Sequence, residues 1–275
     1  MTPGPPRLLI IAGSDSGGGA GIQADIKTAT AFGVYAMTAI TAVTVQDTLR
    51  VHAVHPVPAS IVRDQIACVG DDIGADAVKI GMLGSKEIVQ AVAAALQDFA
   101  PIPIVLDPVL ASTSGTQLLA ADSIDIMTSR LFPLAALVTP NIPETERLAG
   151  MQVEDETQIV AAARRLREFG ARAVLVKGGH AEGERIRDIL VTGSGAEIFE
   201  APRIAARSTH GTGCTLSTAI ACGLANKLPL RDSVIAARAF VQAAIVAAPG
   251  FGRGNGPLNH LHGAVPGRVV IKHNP

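Results

Sequence analysis

The chain has 275 residues, 48% of them hydrophobic, with Lys+Arg at 23 against Asp+Glu at 24 and a net charge of −1. That length and apolar content suit one large α/β domain over 1–275, with residues 1–6 as a Pro-rich tail. The balanced charge, the absence of Trp and the single Tyr argue against nucleic acid as a partner, which needs a basic field or stacking platforms.

Short apolar runs alternate with amphipathic segments along the chain. Strands are expected at 7–12, 37–45, 51–55, 76–80, 103–107, 136–139, 173–177, 187–192 and 197–201. Helices are expected at 22–33, 58–71, 85–99, 116–130, 143–150, 155–170, 212–226 and 230–248. The runs 104–106 and 174–176 read as fully buried parallel strands. The pattern implies an α/β fold, a mostly parallel central sheet with helices on both faces. Ala/Val-rich stretches such as 234–248 are broken by Arg238 and Gln242 and are too short to span a bilayer. The N-terminus has no signal-peptide pattern. A cytoplasmic protein with no membrane partner is expected. Cys68, Cys214 and Cys222 are too few and scattered for a disulfide framework or a zinc site; Cys68 and Cys222 read as structural.

Two glycine segments stand out. Residues 12–28, Ala-Gly-Ser-Asp-Ser-Gly-Gly-Gly-Ala-Gly-Ile-Gln-Ala-Asp-Ile-Lys-Thr, link a strand to a helix. They fit neither a Walker loop nor a regular dinucleotide fingerprint, and their glycines suit close approach of backbone to a small ligand. Residues 208–217, Ser-Thr-His-Gly-Thr-Gly-Cys-Thr-Leu-Ser, open a helix. The unpaired amides and positive dipole of such a helix start attract anions, and Cys214 there would ionise more easily. His210 could tune the thiol, touch a phosphate, or serve only the loop. Other polar signals follow buried strands: Gln46, Lys79 to Met82, Asp107 to Val109, Asn141 to Glu144, and Lys177 to His180. Each alone could be a cap or turn. Together they converge on one edge of a parallel sheet, where ligands bind.

These motifs, AGSDSGGGAGIQADIKT (12–28), TVQDT (44–48), KIGML (79–83), DPV (107–109), TPNIPE (139–144), VKGGH (176–180) and HGTGCTLS (210–217), resemble the bacterial hydroxymethylpyrimidine/phosphomethylpyrimidine kinases over nearly the whole chain. The resemblance implies a ribokinase-like fold. It also implies phosphorylation of 4-amino-5-hydroxymethyl-2-methylpyrimidine to its monophosphate and then its diphosphate, with ATP and Mg²⁺, in thiamine biosynthesis. By that resemblance the pyrimidine meets Gly13, Asp25, Gln46, Met82 and Val109. Cys214 is the base, with Gly211, Thr212 and Gly213 holding the migrating phosphoryl group. Lys177, Asn141, Asp188 and Thr192 serve the nucleotide, and Glu144 and Asp107 the metal. A homodimer is the family expectation. One departure is Thr113, which stands where the family often has a lysine, and implies a weaker second phosphorylation. The alternatives are a pyridoxal or pyridoxine kinase of the same fold, or a non-catalytic pyrimidine-binding domain.

Overall fold

The structure, a computed structural model, describes residues 4–97, 99, 101–112, 115–180 and 183–262. In chain order the elements are β1 (Arg7–Asp15), α1 (Gly21–Ala31), β2 (Tyr35–Gln46), β3 (Val51–Pro56), α2 (Ala59–Asp72), β4 (Ala77–Ile80), α3 (Lys86–Gln97) and β5 (Ile104–Leu106). There follow α4 (Ile124–Arg130), β6 (Leu137–Val138), α5 (Ile142–Ala149), α6 (Glu156–Glu168), β7 (Val174–Val176), β8 (Arg185–Thr192), β9 (Gly195–Pro202), α7 (Thr212–Ala225) and α8 (Leu230–Val246). The strands make one nine-stranded sheet in the order β3-β2-β1-β4-β5-β6-β7-β8-β9. From β2 to β7 all neighbours are parallel; β3 at one edge and β8 and β9 at the other are antiparallel.

The burial pattern explains the three layers. In β1, Leu8 and Ile10 face one side and Leu9 and Ile11 the other, all buried, so both faces must be covered. Leu9 and Ile11 join a core with α2, α3, α4, α5 and α6. Leu8 and Ile10 join a second core with α1, α7 and α8. In α3, Ile88, Val89, Val92, Ala93 and Leu96 recur at helical spacing and form its buried stripe. Among the described residues no helix is long and apolar enough to cross a membrane.

Some expectations need correction. The helix expected over 116–130 is regular only from Ile124. Before it, Gln117 bridges Ala111 and the Leu118 amide donates to the Leu110 carbonyl, so this stretch folds back as a loop. The run 174–176 has a parallel neighbour on one side only. Cys68 is exposed on α2, whereas Cys222 is buried in α7.

One buried ion pair ties the layers together beneath the strand ends. Lys79 on β4 donates to Asp25 Oδ2 on α1 at 2.7 Å, and Thr218 on α7 donates to Asp25 Oδ1 at 2.7 Å. Both charged side chains are 0% exposed. Burial opposes the Lys79 charge, but Asp25, with Cys214 and Asp107 nearby, outweighs it and raises the lysine pKa. Removing one partner strands a buried charge, whereas removing both does not. Lys79→Met is therefore expected to cost about 3–5 kcal/mol in urea unfolding, and Lys79→Met with Asp25→Leu to recover most of it. Equal losses in the single and double variants would contradict the coupling.

Candidate active site

The two glycine segments meet. Asp15, at the end of β1, accepts from the backbone amides of Gly17 at 2.8 Å, Gly19 at 3.1 Å and Ala20 at 2.8 Å. His210 Nε2 reaches the same carboxylate at 2.9 Å from the loop before α7. Burial opposes the Asp15 charge, but His210 and the amides outweigh it and hold its pKa below the usual carboxylate value. The first glycine loop thus wraps Asp15. This corrects the expectation that Gly17 to Gly19 lend their backbone to a ligand. Gly211 caps α7 at φ 84°, and a Cβ there would lie 1.8 Å from the Gly19 carbonyl oxygen. Only glycine permits both that conformation and that approach. His210 bonds the other loop through Asp15 and also lines the cavity described below.

The start of α7 carries Thr212, Gly213 and Cys214 in its first turn, where amides lack intrahelical partners and the dipole is positive. A Cβ on Gly213 would stand 3.3 Å from Lys177 Nζ and 3.7 Å from Asp107 Oδ2, so the helix start, the ammonium and the carboxylate adjoin. Lys177 donates to Asp107 Oδ1 at 2.7 Å, and Thr139 donates to the same oxygen at 3.2 Å. Burial opposes the Lys177 charge, but Asp107 and Glu144 outweigh it and raise its pKa. Asn141 and Glu144 form a reciprocal cap of α5: Asn141 Oδ1 accepts from the Glu144 amide and Glu144 Oε2 from the Asn141 amide, each at 2.8 Å. Burial, with the nearby Asp107 charge, pushes the Glu144 carboxyl up to about 7.

Cys214 overturns one expectation. Burial raises its thiol to about 11, and Asp25 and Asp107 push the same way. Lys79 and the Gly21 amide oppose this without prevailing. A helix start alone does not ionise a thiol that has two carboxylates for neighbours.

A cavity of about 490 Å³ collects most of the candidate residues: Gly13, Gln46, Met82, Val109, Asp107, Asn141, Glu144, Lys177, Asp188, Gly211, Thr212, Gly213 and Cys214. Met82 is 9% exposed, and its Sδ would lie 3.1 Å from a Cβ on Gly13. Two candidates fall elsewhere. Asp25 is fully buried with both oxygens taken by Lys79 and Thr218, so it underlies the site and does not line the cavity. Thr192 is carried to the opposite edge of the sheet, because β8 runs antiparallel to β7 and Val191 pairs Val174. Asp188, opposite the end of β7, lines the cavity, but its carboxylate is committed. Oδ1 accepts from the Gly178 amide at 2.8 Å and Oδ2 from Arg238. It positions the turn after Lys177. Thr113 lies outside the described residues.

Sequence reasoning found no signal for Arg238, and no individual role for Asp15, Lys79 or Thr44. Asp15 lay inside a recognised motif but was overshadowed by its glycines. Arg238 lies on α8, where nothing local signals a polar contact. Residues of the tail before 263 pack near the site: the His210 amide donates to the Gly256 carbonyl at 3.2 Å, and His260 pairs Thr215 of α7 at 2.9 Å. Residues 263–275 lie outside the described ones.

A lysine beside a helix start, two carboxylates and a cavity at the strand ends suit a small-molecule phosphotransferase of the ribokinase-like fold. A family model described as phosphomethylpyrimidine kinase matches residues 15–259, and the chain belongs to that family of kinases. It is 48% identical over 254 residues to the thiamine biosynthesis bifunctional protein ThiED of Geobacter sulfurreducens, covering 92% of this chain and 52% of that protein. The chain thus spans about half of that relative. It is 46% identical to a hydroxymethylpyrimidine/phosphomethylpyrimidine kinase of Streptomyces coelicolor, covering 93% of this chain and 94% of the other. Among solved structures, an ADP complex of Bacillus subtilis pyridoxal kinase aligns with TM-score 0.86 at 34% identity, over 94% of this chain and 98% of that one. Clostridium difficile phosphomethylpyrimidine kinase aligns with TM-score 0.78 at 39% identity, over 87% and 99%.

The Glu144 shift has a consequence for stability. Its folded pKa of about 7 lies above the ordinary 4.5, so the folded protein holds a proton there that the unfolded chain releases. The stabilisation is complete below pH 4.5 and is lost as pH rises through 7. Relative to Glu144→Gln, the wild type should therefore lose about 1–3 kcal/mol between those limits, measured by urea unfolding. Parallel pH profiles would contradict the raised pKa.

Proposed function

We propose that this chain uses ATP to phosphorylate the hydroxymethyl group of 4-amino-5-hydroxymethyl-2-methylpyrimidine, then phosphorylates the monophosphate to the diphosphate, as steps of thiamine biosynthesis. One observation carries the reading: a single cavity joins the Gln46 amide, able to donate and accept, to the α7 start flanked by Lys177. The names of the relatives support the substrate. Gly13, Val109 and Met82 would frame the ring, with Gln46 reading its edge. The amides of Gly211 to Cys214 would hold the moving phosphoryl oxygens, since phosphoryl transfer rests mainly on positioning and electrostatics. Lys177 would meet the nucleotide phosphates, with Asn141 and Asp188 shaping that side.

The acidic pair fits Mg²⁺. Among the described residues there is no cluster of three or more His, Cys, Asp or Glu side chains able to hold a metal. Two carboxylates with water and phosphate oxygens suit an ion that keeps much of its hydration. Glu144 and Asp107 would hold it, and it would supply neutralisation of phosphate charge. Val43 and Val45, 48% and 59% exposed on β2 where it pairs β3, support a homodimer through that face of the sheet.

Cys214 would take the alcohol proton as thiolate. With a pKa of about 11, only about 10⁻⁴ of the thiol is ionised at pH 7. Turnover is therefore expected to climb with pH from 7 to 10. Cys214→Ala should lose about 10²–10⁴-fold in kcat and flatten that slope. A near-wild-type rate in Cys214→Ala would leave the helix amides as the main catalysts.

The likeness to the B. subtilis pyridoxal kinase favours pyridoxal as the second reading. Turnover of hydroxymethylpyrimidine and pyridoxal should be compared at matched ATP. The account expects the pyrimidine to have the larger kcat/KM, and Gln46→Ala to raise its KM about tenfold with little change in the KM for ATP. A preference for pyridoxal, or equal effects on both KM values, would count against the pyrimidine site.

A further inference from the structure

Gln46 lies between two groups that each have one proton to give. His210 Nε2 stands 3.3 Å from Gln46 Nε2 and 2.9 Å from Asp15 Oδ2. Thr44 Oγ1 stands 3.2 Å from Gln46 Oε1 and 3.0 Å from the Ser14 carbonyl oxygen. An amide's oxygen and nitrogen are told apart by the hydrogen bonds they make.

Those bonds can be counted. Asp15 accepts three backbone amides and is held ionised, so it can only accept. His210 Nε2 must therefore carry a proton and point it at Asp15. A second donor facing that N–H is repelled, and an acceptor is attracted. On the other side the Ser14 carbonyl can only accept, so it takes the single Thr44 hydroxyl proton. Thr44 Oγ1 is then left to accept. Both neighbours ask for the same arrangement: the Gln46 oxygen toward His210 and the nitrogen toward Thr44. A half-turn of the terminal amide exchanges the two ends at nearly the same positions and satisfies both.

We propose that His210 and Thr44 are positioning residues that lock the Gln46 amide in this orientation, and that the locked order of acceptor and donor selects the ring edge the site takes. This deepens the pyrimidine reading above and rests on it. With one bond spent on each side, Gln46 keeps a lone pair near His210 and an N–H near Thr44 for a ligand. All three residues line the cavity. An exocyclic amine beside a ring nitrogen offers a donor and an acceptor in the matching order. A ring carbonyl beside a ring N–H offers them reversed. Such a ring could bond only by turning over, which would carry its hydroxymethyl group away from the start of α7. Thr44 is 5% exposed, and valine has nearly its shape, so the hydroxyl can be removed with little repacking.

Two measurements test this. In ¹⁵N-labelled free enzyme, the Gln46 side-chain NH₂ protons should show nuclear Overhauser contacts to the Thr44 methyl group and none to the His210 ring protons. Contacts to the His210 ring would overturn the orientation, whatever the substrate proves to be. In kinetics, kcat/KM is compared for the 4-amino alcohol and its 4-oxo analogue. The wild type should prefer the amine by about 100-fold or more, as sites built around a specific hydrogen bond do. Thr44→Val, which frees the amide to turn, should reduce that ratio at least tenfold, about the worth of one buried bond. Thr44→Ser should restore it. An unchanged ratio in a folded Thr44→Val enzyme would overturn the selection role. If the wild type turned over neither alcohol, the functional reading would fall, and the amide assignment would still be decided by the magnetic-resonance arm.

Discussion

The site depends on the contact between two loops far apart in sequence. The Gly19 carbonyl presses against Gly211, where a side chain would lie 1.8 Å from its oxygen, and His210 bonds Asp15 alongside. This contact sets the start of α7 against the end of β1. Both the start of α7 and the end of β1 line the cavity, and the Thr212 amide donates to the Thr209 carbonyl at 3.3 Å. Asp15 makes the arrangement stiff, because one carboxylate takes three amides of its own loop and an imidazole of the other. The spacing of the two loops is thereby held by backbone contact and by the bonds of Asp15 together. Fixing two reactants in this way is how a positioned site lowers a bimolecular barrier.

The electrostatics follow from burial. Asp25, Asp107 and Glu144 share a small volume with Lys79 and Lys177. The lysines remain charged because each has a carboxylate at 2.7 Å. Glu144 and the Cys214 thiol instead hold their protons to higher pH than usual, Glu144 to about 7 and the thiol to about 11. Negative charge is already abundant there, and burial removes the water that would dilute it. On the function proposed above, a cationic metal would replace a proton here. That is consistent with carboxylates that the protein otherwise binds only to backbone amides, a lysine and hydroxyls.

Much of this was legible in the sequence. The alternation of apolar runs marked the nine strands, and glycine and proline marked the turns at their ends. The motifs after each strand converge because parallel strands put those ends on one edge, so Gln46, Asp107, Glu144, Lys177 and Cys214 arrive in one cavity. The failures share a cause, the direction and depth of side chains. Thr192 was misplaced because nothing local says that β8 runs backwards relative to β7. Asp25 and Lys79 each look like a site residue in their own motif, and only the fold shows them spending their charges on each other. The glycines at 17–19 signalled close backbone approach correctly, but the atom approached is the carboxylate of Asp15, two residues before them. The thiol was misjudged because a helix start is one influence, and burial beside two carboxylates outweighs it.

The central claim is that the first turn of α7 holds the phosphoryl group in transit. Backbone ¹⁵N–¹H shifts of Gly211, Thr212, Gly213 and Cys214 report this directly. They should be followed on adding a non-hydrolysable ATP analogue with Mg²⁺ and the pyrimidine alcohol. These four amides should shift downfield together, with the largest change at Gly213, while Thr192 and Gly195 at the far sheet edge stay still. Unmoved α7 amides, with the main shifts at the far edge, would contradict it.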